Sequence, residues 1–74
     1  MIKFDKLWET MKNKKISTYV LREVHDFDSK TINRMKKNMS TTTYTLNKLC
    51  AILNCSLSEI AEYVPDEINP YGVI

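Results

Sequence analysis

The 74-residue sequence has few residues that interrupt helices: one glycine, Gly72, and two prolines, Pro65 and Pro70. This scarcity of helix breakers favours a helical fold. A glycine-rich phosphate-binding loop is also excluded, because Gly72 has no second glycine to accompany it.

Cysteine and histidine are also scarce, with Cys50, Cys55 and His25 as the only examples. Both cysteines fall on or just beyond one predicted helix, so we interpret them as small core residues rather than as a disulfide. A metal site would need more ligands at a recognisable spacing, and no Ser or Cys stands beside a base as in a nucleophilic site. We therefore expect no metal, no cofactor, no small-molecule ligand and no enzymatic activity.

The chain lacks an apolar run long enough to span a bilayer, and its start, MIKFDKLWETMK, alternates charged with apolar residues, unlike a signal peptide. Apolar residues make up 43% of the sequence and charged residues 27%. This composition is typical of one small globular domain. We expect a cytoplasmic protein that does not bind membranes.

The net charge of +2 is unevenly distributed along the chain. Residues 1–37 contain ten Lys or Arg and five acids, a balance of +5, whereas residues 38–74 contain one Lys and four acids, a balance of −3. Such polarity favours docking of one side of the molecule on a polyanion. Uneven charge is also common in small soluble domains, so this feature alone does not identify a partner.

Apolar residues recur at the i, i+3, i+4, i+7 spacing and predict an all-α fold, a compact bundle of five short helices around one core. The first three are expected at about residues 5–14, from the N-cap Ser17 to about Val24, and from Asp28 or Ser29 to about Lys37. The fourth follows Thr42 and ends near Asn54, and the fifth follows a capping box of Ser56 and Glu59 and ends at Pro65.

The predicted inner faces are defined by the apolar positions of these helices. They comprise Phe4, Leu7, Trp8, Met11, Val20, Leu21, Val24, Ile32, Met35, Leu46, Leu49, Cys50, Leu53, Leu57, Ile60, Ala61 and Val64.

Residues 1–64 are expected to form the domain, and residues 65–74 a C-terminal tail. The apolar residues of the tail, Ile68, Tyr71, Val73 and Ile74, are interrupted by Asn69, Pro70 and Gly72. The proline and the glycine exclude a further helix there. The tail is either disordered or packs across an interface with a second copy, and the sequence does not separate these two hypotheses.

The second and third predicted helices, joined by a short turn, have the order of a helix-turn-helix. The stretch ISTYVLREVHDFDSKTINRMKKN resembles the Cro/cI-type (XRE) family, whose common form is roughly LSQxxLAxxxGISxxTISxIExG. Leu21, Phe27 and Met35 stand at core positions of that form, and Thr31 and Ile32 match its Thr-Ile pair. The resemblance covers about residues 4–64 and implies a lambda-repressor-like DNA-binding domain.

Three residues depart from the family form. Thr18 stands where a phosphate-contacting Gln is common, Arg22 replaces a small Ala, and Asp26 replaces the turn Gly. Arg22 requires either a different crossing of the two helices or a side chain that turns outward. Asp26 is able to adopt the left-handed backbone conformation at some cost.

The third helix is expected to contact DNA, because Ser29, Lys30, Asn33, Arg34 and Lys37 fall within an arc of about 140°. The resemblance implies base contacts from Ser29, Lys30, Thr31, Asn33 and Arg34. Phosphate contacts are expected from Ser17, Thr18, Lys36, Lys37, Thr42 and Thr43. Arg34 suits guanine because its planar fork donates two hydrogen bonds, and Asn33 suits adenine.

The resemblance implies a sequence-specific regulator of transcription that binds double-stranded DNA, and we expect such a small protein to act as a repressor. Because one domain offers one recognition helix, we also predict a homodimer that reads a pseudo-palindrome. The alternative is an antitoxin-like or inhibitor module that uses the same fold to bind a protein, with weak or no DNA binding. The departures in the second helix, the modest net charge and the apolar tail favour that alternative.

Overall fold

The computed structural model describes residues 1–66, and the two hypotheses for the C-terminal tail concern residues that lie mostly outside this range. Within residues 1–66 there are four α-helices: α1 Asp5–Lys14, α2 Thr18–Glu23, α3 Ser29–Lys36 and α4 Thr43–Leu53. A single 3₁₀ turn, Leu57–Glu59, follows α4. Two short strands, β1 Ile2–Lys3 and β2 Glu62–Tyr63, pair antiparallel, with Ile2 opposite Tyr63 and Lys3 opposite Glu62.

Side-chain caps begin three of the helices, as the sequence predicts. Ser17 Oγ accepts a hydrogen bond from Val20 N at 3.2 Å, and Thr42 Oγ1 accepts one from Thr45 N at 3.2 Å. At α3 the cap is Asp28 rather than Ser29, because the Asp28 carboxylate accepts from Lys30 N at 3.0 Å. Each cap satisfies a backbone N–H group that has no partner within its helix.

In the described part of the chain, four residues other than glycine adopt the left-handed backbone conformation, where they end helices or turn the chain. Lys15, Asp26, Asn38 and Asn54 have φ values of 60°, 57°, 55° and 49°. Asn and Asp tolerate this conformation better than most residues, so the expectation for Asp26 is confirmed, and Asn54 ends α4 where the sequence predicts. After α3, Asn38 also fixes the start of α1, because its Oδ1 accepts from Phe4 N at 2.8 Å.

The core is apolar and receives side chains from every helix. It consists of Phe4, Leu7, Met11, Leu21, Phe27, Ile32, Met35, Leu49, Leu53 and Ile60. Trp8, Leu46 and Cys50 are half-buried against it, so the predicted inner faces of α1 and α4 are broadly confirmed. The prediction that Val24 lies on the inner face is wrong, because α2 ends at Glu23 and Val24 is 67% exposed.

The predicted fifth helix is wrong, and the fold is therefore not purely α-helical. The capping box is present, with Ser56 N donating to the Glu59 carboxylate at 2.9 Å, but only one 3₁₀ turn follows. Leu57 is 53% exposed, whereas Ile60 is fully buried as predicted. The chain then extends because its backbone pairs with the N-terminus: Val64 N donates to Met1 O at 2.8 Å. A partner more than sixty residues away in sequence outweighs the local helical pattern here.

Candidate nucleic-acid interface

The turn between α2 and α3 contacts both α2 and α4. Asp26 reverses the chain with its positive φ, and Phe27 N donates to Leu21 O at 2.9 Å. Phe27 is buried, and the Lys48 ammonium of α4 lies 4.7 Å from the centre of its ring. Lys48 Nζ also donates to His25 O at 3.5 Å. These contacts join the turn to α2 and to α4.

Sequence reasoning missed this role of Lys48. One feature of the sequence points to it: Lys48 is the single Lys or Arg of residues 38–74 and lies on a helix with no other charged residue.

The outer face of α3 is polar, cationic and open to solvent. Ser29, Lys30, Asn33, Arg34 and Lys37 are all exposed, as the helical arc predicts, while Ile32 and Met35 face the core. Thr31 is half-buried at the edge of this arc.

No cation of α3 forms an ion pair with any residue in the described part of the chain. The ion pairs found within residues 1–66 join the Met1 amino group to Asp66 and Lys6 to Glu62. The positive charge of α3 is therefore not neutralised by these residues, and it remains available to an anionic partner.

One recess flanks α3 on the side of α4. It has a volume of about 340 Å³ and is lined by Thr31, Arg34, Ser40, Thr41, Thr42 and Thr45. Arg34 Nη2 donates to Ser40 O at 3.2 Å across this recess. The structure thus brings together two predicted base-contacting residues, Thr31 and Arg34, and one predicted phosphate-contacting residue, Thr42.

A second recess flanks α3 on the side of α2. It has a volume of about 230 Å³ and is lined by Arg22, Ser29, Ile32, Asn33 and Lys36. Arg22 is exposed, so its side chain turns outward, the second of the two arrangements considered for this departure from the family form. Sequence reasoning did not assign Arg22 to the site.

The remaining predicted contacts lie at helix ends and line neither recess. Ser17 and Thr18 are at the start of α2, and Thr43 is the exposed first residue of α4. Lys30 is in the first turn of α3, and Lys37 caps its C-terminal end. Thr42, which lines the first recess, accepts from Thr45 N through Oγ1, and its hydroxyl retains further hydrogen-bonding capacity.

The two cysteines lie away from these residues, at the end of α4. Both are free and half-buried, and burial together with Cys50 raises the pKa of the Cys55 thiol above its usual value. Within residues 1–66, no group of three or more His, Cys, Asp or Glu side chains is arranged to hold a metal ion. Over the same range, no helix combines the length and apolar character needed to cross a bilayer.

A short helix, a tight turn and a second helix with an exposed polar face define the helix-turn-helix class of domains. The family description of the Cro/C1-type HTH DNA-binding domain matches residues 6–66, and the chain belongs to this family. The structure is similar to a crystal structure of the transcriptional regulator VanUg, form II, with a TM-score of 0.79 and 26% sequence identity. That similarity covers 88% of this chain and 87% of the other. No curated protein matches the sequence.

Proposed function

We propose that this protein is a sequence-specific transcriptional regulator that inserts α3 into the major groove of double-stranded DNA. The observation that carries the proposal is the exposed arc of α3, whose cations have no acidic partner within residues 1–66. Membership of a DNA-binding family and similarity to a transcriptional regulator support the same function. A domain that occupies its DNA site blocks access by other proteins, so we propose repression as the mode of regulation.

Arg34 is proposed to read guanine. Its bond to Ser40 O uses one hydrogen of Nη2, and the guanidinium retains four other N–H donors. Arg34 can therefore hold the loop before α4 and donate to a base in the same complex. A bidentate contact with guanine contributes about 1 to 3 kcal/mol of discrimination.

The neighbouring residues are proposed to complete the contacts. Asn33 pairs with adenine, and Ser29, Lys30 and Thr31 contact adjacent bases. The proposed phosphate contacts, which position the protein without specifying sequence, are Ser17, Thr18, Lys36, Lys37, Thr42 and Thr43.

The test is selection from a random-duplex library at two salt concentrations, using the wild type, Arg34→Lys and Lys12→Ala. Lys12 is exposed on α1 and serves as the charge control. We expect enrichment of a two-fold symmetric sequence by the wild type and by Lys12→Ala. Arg34→Lys keeps the charge but loses the planar fork, so it should lose preference at one guanine in each half-site. Absence of an enriched sequence contradicts the proposal.

We further propose a homodimer, because one recognition helix reads only one half-site. Ile2, Leu57 and Tyr63 are exposed around an apolar recess of about 420 Å³. A second copy docked on this face would present a second α3, with the half-sites about 34 to 36 Å apart. Sedimentation analysis of the wild type and Leu57→Glu tests this: we expect a dimer that the substitution converts to a monomer.

The same apolar face favours a second candidate function, an antitoxin-like or inhibitor module that binds another protein. Salt dependence separates the two functions, because contacts with several phosphates make affinity fall steeply as salt increases. Weak duplex binding with no preferred sequence would favour the protein-binding module.

A further inference from the structure

We infer that the recess between α2 and α3 is a phosphodiester-binding cleft in which Arg22 and Lys36 hold a single backbone phosphate of DNA. This inference rests on the proposed function and adds Arg22 to the phosphate contact already proposed for Lys36; neither the family form nor the predicted site includes Arg22. In the family form the position of Arg22 carries a small Ala, which has no polar group to offer a phosphate.

The recess is positively charged. Arg22 and Lys36 both line a space of about 230 Å³, and no acidic residue lines it. Neither cation forms an ion pair with another residue of the described range 1–66. Two like charges that share a small recess repel each other, and an anion bound between them replaces this repulsion with attraction.

The donors of the recess match one phosphate group. Arg22 and Lys36 supply charged N–H donors for the phosphate oxygens, and Ser29 and Asn33, which also line the recess, are left to contact bases. The space is several times the volume of one water molecule, about 30 Å³. The recess therefore has room for an oxyanion and the donors that such an anion requires.

The recess lies along one flank of α3, where a DNA backbone would pass if α3 entered the major groove. A helix about 10 Å wide fills a major groove about 12 Å wide, so phosphates of the two strands flank it on either side. The recess with Arg34 and Thr42 lies on the α4 side of α3, and the recess with Arg22 lies on the α2 side. Each flank of α3 thus offers donors to one strand.

Arg22 is not needed for the packing of α2. Leu21 of α2 and Ile32 of α3 are buried in the core, whereas Arg22 is exposed. Replacing Arg22 by Ala restores the residue of the family form and truncates an exposed side chain. We therefore expect Arg22→Ala to fold with unchanged thermal stability.

The experiment measures binding of the full chain to a duplex of arbitrary sequence by fluorescence anisotropy over a range of salt concentrations. Arg22→Ala should reduce the slope of log K against log salt by up to about 0.9, the value for one neutralised phosphate, and lower affinity several-fold at low salt. Arg22→Gln, which keeps more of the side chain, should give the same result. Lys12→Ala, on α1, should match the wild type.

A double-mutant cycle tests whether Arg22 and Lys36 share one phosphate. The double variant Arg22→Ala, Lys36→Ala should lose less DNA-binding free energy than the sum of the losses of the two single variants. The matched pair Arg22→Ala and Lys37→Ala should be additive, because Lys37 does not line the recess.

The outcomes separate this inference from the proposed function. Unchanged salt slopes for both Arg22 variants, with sequence-specific binding intact, would overturn the cleft alone. Additive losses for Arg22 and Lys36 would overturn the shared phosphate. A wild type that binds no duplex would overturn both the cleft and the proposed function.

Discussion

The helix-turn-helix and the segment that follows α4 are stabilised in different ways. Within residues 17–36, caps at Ser17 and Asp28 begin the helices, and the bonds that close them join residues close in sequence. Residues 57–66 instead depend on the other end of the chain, through pairing of β2 with β1 and the bond from Met1 N to Val64 O at 2.8 Å. The helix-turn-helix is built locally, and the final segment is defined by its distant partner.

The largest expected effects come from the buried anchors of the two regions, Leu21 and Ile60, which are both 0% exposed. Leu21→Ala and Ile60→Ala should each destabilise the protein by about 2 to 5 kcal/mol, because each leaves a cavity in the core. The free energy of unfolding in urea measures this loss. Val24→Ala is the exposed control and should change stability by less than about 0.5 kcal/mol.

Hydrogen exchange then separates the two regions. Ile60→Ala should speed exchange first in residues 57–66, whose pairing with β1 involves few backbone bonds. Leu21→Ala should speed exchange throughout α2 and α3. Uniform loss of protection in both variants would contradict the distinction between a local and a distant origin of stability.

The next effect concerns a local cap of the helix-turn-helix. Asp28→Ala removes the carboxylate that accepts from Lys30 N, and we expect a loss of about 1 kcal/mol. Thermal unfolding measures it, with Ser29→Ala as the control, since Ser29 occupies the next position and does not cap the helix. An equal loss in both variants would show that Asp28 does not stabilise α3 through its cap.

A smaller effect of opposite sign is expected at the end of α1. Lys15 adopts φ of 60°, which glycine adopts without cost, so Lys15→Gly should stabilise the protein by up to about 1 kcal/mol. The control is Lys14→Gly, one residue earlier inside α1, which should destabilise by about 0.5 to 1 kcal/mol. Denaturation midpoints of the two variants on opposite sides of the wild type would confirm the prediction.

The local origin of the helix-turn-helix explains why the sequence predicts it. Ser17 and Thr42 mark helix starts by residue type alone, and the spacing of Ile32 and Met35 gives the buried face of α3. The prediction of a fifth helix is wrong because Ser56 and Glu59 form the same local capping signal, although only one 3₁₀ turn follows them. Pairing of residues 62–63 with residues 2–3 leaves no pattern in either stretch alone.

The candidate site likewise has one part that the sequence predicts and one part that depends on tertiary contacts. The exposed arc of α3 follows from helical geometry, so its residues were predictable from the sequence. The bond from Arg34 to Ser40 O and the recess shared by Arg22 and Lys36 depend on how α3 sits against its neighbours. Sequence patterns give the face of a helix but not the residues that other elements bring beside it.

The smallest expected effect concerns the ion pair of the final segment. The Met1 amino group lies 3.2 Å from Asp66 Oδ2, and both groups are substantially exposed to solvent. Exposed pairs contribute about 0 to 1 kcal/mol, so Asp66→Asn should destabilise the protein by less than about 0.5 kcal/mol, and added salt should abolish the difference. Urea denaturation at low and high salt measures both. A loss comparable to that of Ile60→Ala would mean that charge, rather than the burial of Ile60, holds the final segment against the N-terminus.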